Sequence, residues 1–260
     1  MKKFALVDLK GGFGNQIFIL CFAYFLKSQN FRVGLDTNFF KNNQIFPREL
    51  EIDLSKSNLN IFNFRNNRLF FYLNTWYEEI PNFNSIEFKL FNRFTGYYQN
   101  LQYLEQSKNE IISITGVRPG PKIKNSCMIH LRKGDYVQLK EELSINYYET
   151  AINNVLSKYK NINFDIFTDD PNFVPDKNIF RNLRNIYYPT KETNSAEVLN
   201  TMVKYQHYII ANSSFSLIAA YLGADNSSEV YYPNPWWKHM DVFIQNIPKN
   251  WNKIENSSDY

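Results

Sequence analysis

Residues able to do chemistry fall in four short clusters of this 260-residue chain. The densest is His130-Leu131-Arg132-Lys133-Gly134-Asp135-Tyr136. Side chains two apart on a strand point the same way, so His130 and Arg132 share a face. Arg132 offers a planar fork that matches phosphate oxygens, and Lys133 adds a second cation. His130 can donate to the same oxygens, and Asp135 can orient Arg132 or His130. A surface turn of mixed charge is the plain alternative.

The second cluster is Gly11-Gly12-Phe13-Gly14-Asn15-Gln16. Gly12 and Gly14 allow a tight turn and a close backbone approach to a ligand. The helix that follows offers free N–H groups, and the amides of Asn15 and Gln16 can bond a ligand there. Ile17 stands where a dinucleotide fingerprint places its last glycine, which disfavours a nucleotide-sugar dehydrogenase. The third cluster is Phe167-Thr168-Asp169-Asp170-Pro171. Asp169 and Asp170 can accept from ribose hydroxyls or a base edge, and a helix cap before Pro171 fits the spacing equally. The fourth is Asn212-Ser213-Ser214-Phe215-Ser216. Small hydroxyl residues before a helix make an anion nest or an ordinary N-cap. With Arg132 at another strand end of the same half, the pair suggests a diphosphate held between them.

These clusters need strand ends to carry them. Phe4–Leu9 reads as a buried strand, Ile17–Gln29 as a helix and Phe31–Asp36 as a second strand, the start of a βαβ unit. Residues 37 to 95 have weak periodicity and suggest short helices and loops. Gly96–Gln99 reads as a turn or strand end and Asn100–Thr115 as a helix. Arg118-Pro119-Gly120-Pro121 interrupts any element and is the best boundary. Beyond it, strands at 126–131, 164–168, 206–211 and 229–232 alternate with helices at 146–159, 195–204 and 217–222. That alternation predicts a parallel sheet with helices on both faces, hence two α/β halves, 1–120 and 121–260. Ligands of such sheets bind beyond the carboxyl ends of the strands, where all four clusters lie.

Composition narrows the function classes. Hydrophobic residues are 44% and charged residues 21%, which excludes wholesale disorder. Twenty-nine basic against 25 acidic residues leave +4, too small for a strong nucleic-acid footprint. Cys21 and Cys127 sit in apolar runs and read as buried hydrophobes. His130, His207 and His239 are far apart and give no metal motif. The longest apolar run, Ile17–Leu26, is too short to span a bilayer, and no secretory signal precedes it. A cytoplasmic protein without an integral membrane segment is expected. Trp236, Trp237 and Lys238 read as core or interface residues, with peripheral contact at the inner membrane surface as the alternative.

Together the segments resemble glycosyltransferase family 11, the α-1,2-fucosyltransferases. Gly11–Gln16 is similar to the family's Gly-Gly-x-Gly-Asn-Gln start, and His130–Tyr136 to its His-x-Arg-Arg-Gly-Asp-Tyr motif. Gly96–Gln99, the pair Tyr147 and Tyr148, Thr168–Asp170, Asn212–Ser216 and Pro233–Trp236 match further family segments. Two positions depart: Lys133 replaces a second arginine, and Leu217 and Ile218 replace common aromatics. The resemblance covers about residues 4 to 237 and implies a GT-B-like fold of two Rossmann-like halves. It implies an acceptor-side N-terminal half and a C-terminal half that binds the GDP-sugar. It implies inverting transfer of L-fucose from GDP-β-L-fucose to the 2-hydroxyl of a galactose in a glycan acceptor, free or lipid-linked, with no metal or cofactor. On that basis Arg132, with His130, holds the β-phosphate. Ser213, Ser214 and Ser216 hold the phosphates from the other side, and Asp169 or Asp170 reads ribose or guanine. Asn15 and Gln16 face the donor–acceptor junction. Asp8, Asp36 and Asp135 are the nearest carboxylates for a general base, and none is preferred. A peptide O-fucosyltransferase-like enzyme and a non-catalytic nucleotide- or sugar-binding protein are the competing readings.

Overall fold

A computed structural model describes residues 2–41, 47–62, 75–77, 83, 86–188, 190, 193–239 and 244–256. The chain divides into two compact units, Met1–Gly116 and Val117–Tyr260.

The first unit holds β1 (Phe4–Asp8), β2 (Arg32–Asp36), β3 (Asn60–Phe62), β4 (Thr75–Tyr77) and β5 (Phe91–Phe94). They form one parallel sheet in the order β3-β2-β1-β5-β4. Three of these strands lie in the stretch where short helices and loops were expected. Two are only three residues long, too short to display a period. Residues 42–46, 63–74, 78–82 and 84–85 of that stretch lie outside the described residues.

Helix α1 (Phe13–Ser28) begins four residues before the expected Ile17, so Asn15 and Gln16 sit in its first turn. It contacts β1 and β2 and also α2 (Leu101–Gln106) and α3 (Lys108–Thr115), which explains why it is apolar nearly all round. The expected single helix over 100–115 is these two, divided at Ser107, whose hydroxyl donates to the Tyr103 carbonyl at 2.7 Å. Aromatic residues make up 17% of the chain, and many of them are core. Phe22 stacks on Tyr98 at 3.8 Å between ring centres, and Phe25 stacks on Tyr103 at 4.5 Å. Such pairs contribute about 0.5–1.5 kcal/mol each beyond their buried area. Cys21 is buried among them, and burial pushes its thiol up to about 12.

The second unit holds β6 (Ile123–Leu131), β7 (Asn163–Thr168), β8 (Leu183–Tyr187), β9 (Tyr205–Ile209), β10 (Val230–Asn234) and β11 (Asn252–Glu255). All neighbours are parallel, in the order β11-β10-β9-β6-β7-β8. The helices are α4 (Gly134–Leu139), α5 (Ile145–Lys158), α6 (Ser195–Met202) and α7 (Ser214–Gly223). The edge strands β8 and β11 and the helix α4 were not expected. The two strands are half-exposed and carry no apolar run.

The chain enters at β6, winds outward through β7 and β8, then crosses back to β9 and on through β10 to β11. From the central pair β6 and β9 it therefore departs in opposite directions. The connections after these two strands part there, a topological switch point, the usual ligand position in such sheets. Tyr147 and Tyr148 of α5 brace this point from inside the core. The Tyr147 hydroxyl donates to the Ile210 carbonyl at 2.6 Å, and the Tyr148 hydroxyl to the His130 carbonyl at 3.2 Å. The fold is α/β, with two parallel-sheet units, as the sequence implied. Among the described residues no helix is long and apolar enough to cross a membrane.

Candidate active site

Register brings three of the four clusters into one row. Leu131 of β6 pairs with Thr168 of β7, so the next residues, Arg132 and Asp169, stand side by side. Ile129 of β6 pairs with Ile209 of β9, and three residues further on Arg132 is level with Asn212. The order across the strand ends is thus Asp169, Arg132, Asn212, with the last two flanking the switch point.

Arg132 is held at both ends of its fork. Its Nη2 donates to Asp135 Oδ1 at 2.7 Å, and its Nη1 meets Asp169 Oδ2 at 2.8 Å. Its guanidinium lies 5.3 Å from the centre of the Tyr136 ring. Burial works against the charge, but Asp169 and Asp135 outweigh it and hold the group above its ordinary value. Arg132 is therefore always a cation, with its buried Nε–H left without a partner.

Asp169 braces this arrangement. Its Oδ1 accepts the Lys133 backbone N–H at 2.7 Å, while Oδ2 holds Arg132. A Cβ at residue 134 would lie 2.4 Å from that Oδ2, so any larger residue there displaces the carboxylate. Both Asp169 oxygens are thus engaged within the protein. Asp170 holds the following turn, accepting the Asn172 N–H at 2.9 Å, but no helix follows it, so it is not the helix cap that the spacing also allowed. Lys133 turns its ammonium to Glu142 Oε2 at 3.1 Å, away from Arg132's fork.

His130 is 6% exposed, with its ring 6.1 Å from that of Phe215. Burial, then the charge of Arg132, pushes its imidazole down to about 3. It is neutral at physiological pH and adds no second cation. Its Nδ1 is buried without a partner.

Asn212 is 1% exposed. Its Nδ2 donates to the Glu141 carbonyl at 2.7 Å, and its own carbonyl accepts the Tyr136 hydroxyl at 3.0 Å. Its Oδ1 is buried without a partner. Ser213 caps α7, its hydroxyl accepting the Phe215 N–H at 3.4 Å. Ser216 turns its hydroxyl back to the carbonyls of Ala211 and Ser213, so it serves the turn rather than a phosphate. Ser214 is half-buried at the first helical position. The helix start has no acidic residue in its first turn, so its positive end is not neutralised there.

Three buried polar atoms without partners, His130 Nδ1, Arg132 Nε and Asn212 Oδ1, thus belong to residues at the ends of the two switch-point strands. Buried polar groups are normally satisfied, so orphans gathered at one row of strand ends call for a partner such as a water, an ion or a ligand. Two donate or accept beside a fixed cation and a helix N-terminus, which suits an anion carrying hydroxyls.

The glycine cluster lies in the first unit. Gly11 has φ +78°, and Gly12 precedes α1 without a side-chain cap. Gln16 is fully buried. Its Nε2 donates to the carbonyls of Gly11 and Glu49, at 3.0 and 2.8 Å, and its Oε1 accepts the Glu51 N–H at 3.1 Å. That amide ties two segments together and has no hydrogen left for a ligand. Asn15 accepts from Gln99 Nε2 at 2.8 Å, which links the glycine turn to the Gly96–Gln99 segment. Gly14 is buried within α1. Of the three carboxylates considered as bases, Asp8 and Asp36 both bind Arg93, at 2.9 and 3.1 Å, and Asp135 binds Arg132. Burial raises Asp8 above the usual carboxylate range, with Arg93 opposing it. Among the described residues no group of three or more His, Cys, Asp or Glu could hold a metal ion.

The profile of glycosyl transferase family 11 matches residues 6–255, nearly the whole chain. The chain belongs to glycosyl transferase family 11. Within curated proteins it is similar to an alpha-1,2-colitosyltransferase of Escherichia coli, 28% identical over 181 residues. That match spans 62% of this chain and 62% of the relative. Among solved structures it is similar to a glycosyl transferase family 9 protein from Veillonella parvula, with 10% identity and a TM-score of 0.44 over 97% of this chain and 86% of that one. It is also similar to the E. coli heptosyltransferase WaaC with ADP, with 10% identity and a TM-score of 0.40 over 97% and 93%. Glu141, whose carbonyl holds Asn212, carried no sequence signal as such, since it lies in a run of mixed charge.

Proposed function

We propose that the chain transfers L-fucose from GDP-β-L-fucose to the 2-hydroxyl of a galactose residue in a glycan, with inversion and without a metal. The observation that carries the reading is the orphaned trio at the β6/β9 switch point beside the fixed cation of Arg132. Membership of family 11 supports the reaction class, and the relative's name supports a 1,2-linkage.

In this reading the diphosphate lies against Arg132 and the N-terminus of α7. The acceptor oxygen bonds to the anomeric carbon from the face opposite the nucleotide. The carbon–oxygen bond to the β-phosphate breaks, and its electron pair leaves with GDP. The acceptor hydroxyl's proton passes to the departing β-phosphate as the new bond forms. Negative charge grows on the departing phosphate, where a preorganised cation and N–H dipoles stabilise the transition state more than the ground state. Asn212 Oδ1, an acceptor, suits a hydroxyl of the donor rather than its phosphates. Asp169 and Asp135 aim the guanidinium.

A second donor is favoured by the relative's name. Colitose is fucose without its 3-hydroxyl, so one site can be tested against both. Calorimetric titration in EDTA with GDP, GDP-fucose, GDP-colitose and UDP-galactose is the first test, followed by transfer to β-galactosides. Binding of the guanine nucleotides alone is expected, with GDP-fucose the better donor. No guanine-nucleotide binding overturns the reading, and faster transfer from GDP-colitose moves the donor assignment to that sugar.

A further inference from the structure

Glu141 is 1% exposed and follows the short helix α4. One residue there gathers three distant segments. Its backbone N–H donates to the Tyr136 carbonyl at 2.9 Å, which closes the end of α4. Its own carbonyl accepts Asn212 Nδ2 at 2.7 Å, from the turn after β9. Its carboxylate oxygens accept the successive backbone N–H groups of Lys238 and His239, at 2.6 and 2.9 Å, from the segment after β10. Successive N–H groups of this kind form a concave anion site, and here a side chain of the same protein fills it.

The pinned segment leads back to the orphaned trio. Trp236 is buried, and the Trp237 ring packs on Tyr136 with centres 5.3 Å apart. Tyr136 in turn lies against the Arg132 guanidinium and donates its hydroxyl to the Asn212 carbonyl. The Asn212 amide can leave its oxygen open only while its nitrogen is taken by Glu141. A buried carboxylate is costly where an apolar side chain would do, so its use on an irregular segment calls for a task.

We propose that Glu141 is a positioning residue of the donor site. It latches the segment Trp236–His239 onto α4 and so fixes Tyr136 and Asn212 in the orientation that keeps Arg132 Nε and Asn212 Oδ1 open to ligand. This rests on the donor-site reading above, and it makes the C-terminal segment part of that site. Glutamine at 141 keeps the size but sets an amide NH2 against one of the two N–H donors. Aspartate keeps the charge on a shorter arm.

The test uses full-length wild type, Glu141→Gln and Glu141→Asp. The readouts are thermal melting, tryptophan emission without ligand, and calorimetric affinity for GDP. Glu141→Gln is expected to stay folded, shift its emission to the red as Trp237 leaves Tyr136, and bind GDP at least ten-fold more weakly. Glu141→Asp is expected to recover part of the affinity. A folded Glu141→Gln protein with unchanged emission and unchanged GDP affinity overturns the latch. If wild type binds no GDP, the donor reading falls by itself, and the latch then stands or falls on the emission shift. If Glu141→Gln does not fold, Trp237→Leu takes its place: several-fold weaker GDP binding supports the latch, and unchanged binding overturns it.

Discussion

Arg132 and Asp169 are neighbours because β6 and β7 run parallel with Leu131 opposite Thr168, and their 2.8 Å ion pair continues that register past the strand ends. With Asp135 on the other arm, one cation faces two carboxylates. The local sum is one negative charge, which by itself repels a diphosphate. The guanidinium is aimed at the cost of its net field, and the start of α7 must supply the rest of the attraction.

Arg132→Ala removes the only cation of this trio and leaves Asp135 and Asp169 facing the ligand. Turnover is expected to fall by roughly two to three powers of ten, the usual effect of losing a donor to developing charge. Arg132→Lys is expected to recover little, since a point charge cannot span both carboxylates. Adding Asp169→Asn to Arg132→Ala should restore part of the lost GDP affinity by removing repulsion. A radiolabelled transfer assay with near-normal turnover in Arg132→Ala sinks the assignment.

Gly134→Ala tests the brace separately. The added methyl would lie 2.4 Å from Asp169 Oδ2, so the carboxylate must move and Arg132 loses one arm. A loss of about ten-fold in kcat/KM is expected, equivalent to about 1.4 kcal/mol, one hydrogen bond to a charged group. Steady-state kinetics within two-fold of wild type would mean that Arg132 keeps its aim without Asp169.

The sequence made the site's centre legible and left its supports hidden. Strand alternation and the four clusters located the β6 and β9 ends, because buried strands and small polar turns have strong local signatures. Gln16, Lys133, Asp169 and Asp170 were legible as polar residues near a site but not as to their partners. Gln16 bonds to Glu49 and Glu51, whose proximity is set by the fold and not by spacing. Asp165 shows the same limit. It reads as an ordinary strand residue, yet it is fully buried and held by Arg184, Asn185 and Tyr205, a network that exists only once β7, β8 and β9 assemble. The strands β3, β4, β5, β8 and β11 escaped detection because short or edge strands gain pairing without needing an apolar run.

His130 gives a pH prediction with a definite sign. Its pKa falls from 6.5 to about 3 on folding, so the unfolded chain binds a proton that the folded one refuses. Its contribution to stability is complete above pH 6.5 and is lost as pH falls toward 3, by up to about 1.4 kcal/mol per pH unit. His207 is shifted the same way and adds to the acid limb. Urea denaturation from pH 7.5 to 5 should therefore cost wild type more stability than it costs His130→Gln. Parallel curves for the two proteins would mean that His130 titrates normally in the fold.

Arg93 links Asp8 and Asp36, which are paired residues on β1 and β2, so one guanidinium separates two carboxylates that the sheet places side by side. Arg93→Met removes the cation and keeps much of the packing. At pH 7 the two carboxylates then repel each other in a half-buried setting, and a loss of about 3 kcal/mol is expected, as for breaking a buried pair from one side. Asp8 is already raised by burial, and without Arg93 it rises further. Its protonation relieves the repulsion, so the deficit against wild type should shrink between pH 7 and pH 4.5. Denaturation curves at the two pH values decide it: a deficit that stays constant would place the cost in lost packing and not in the facing charges.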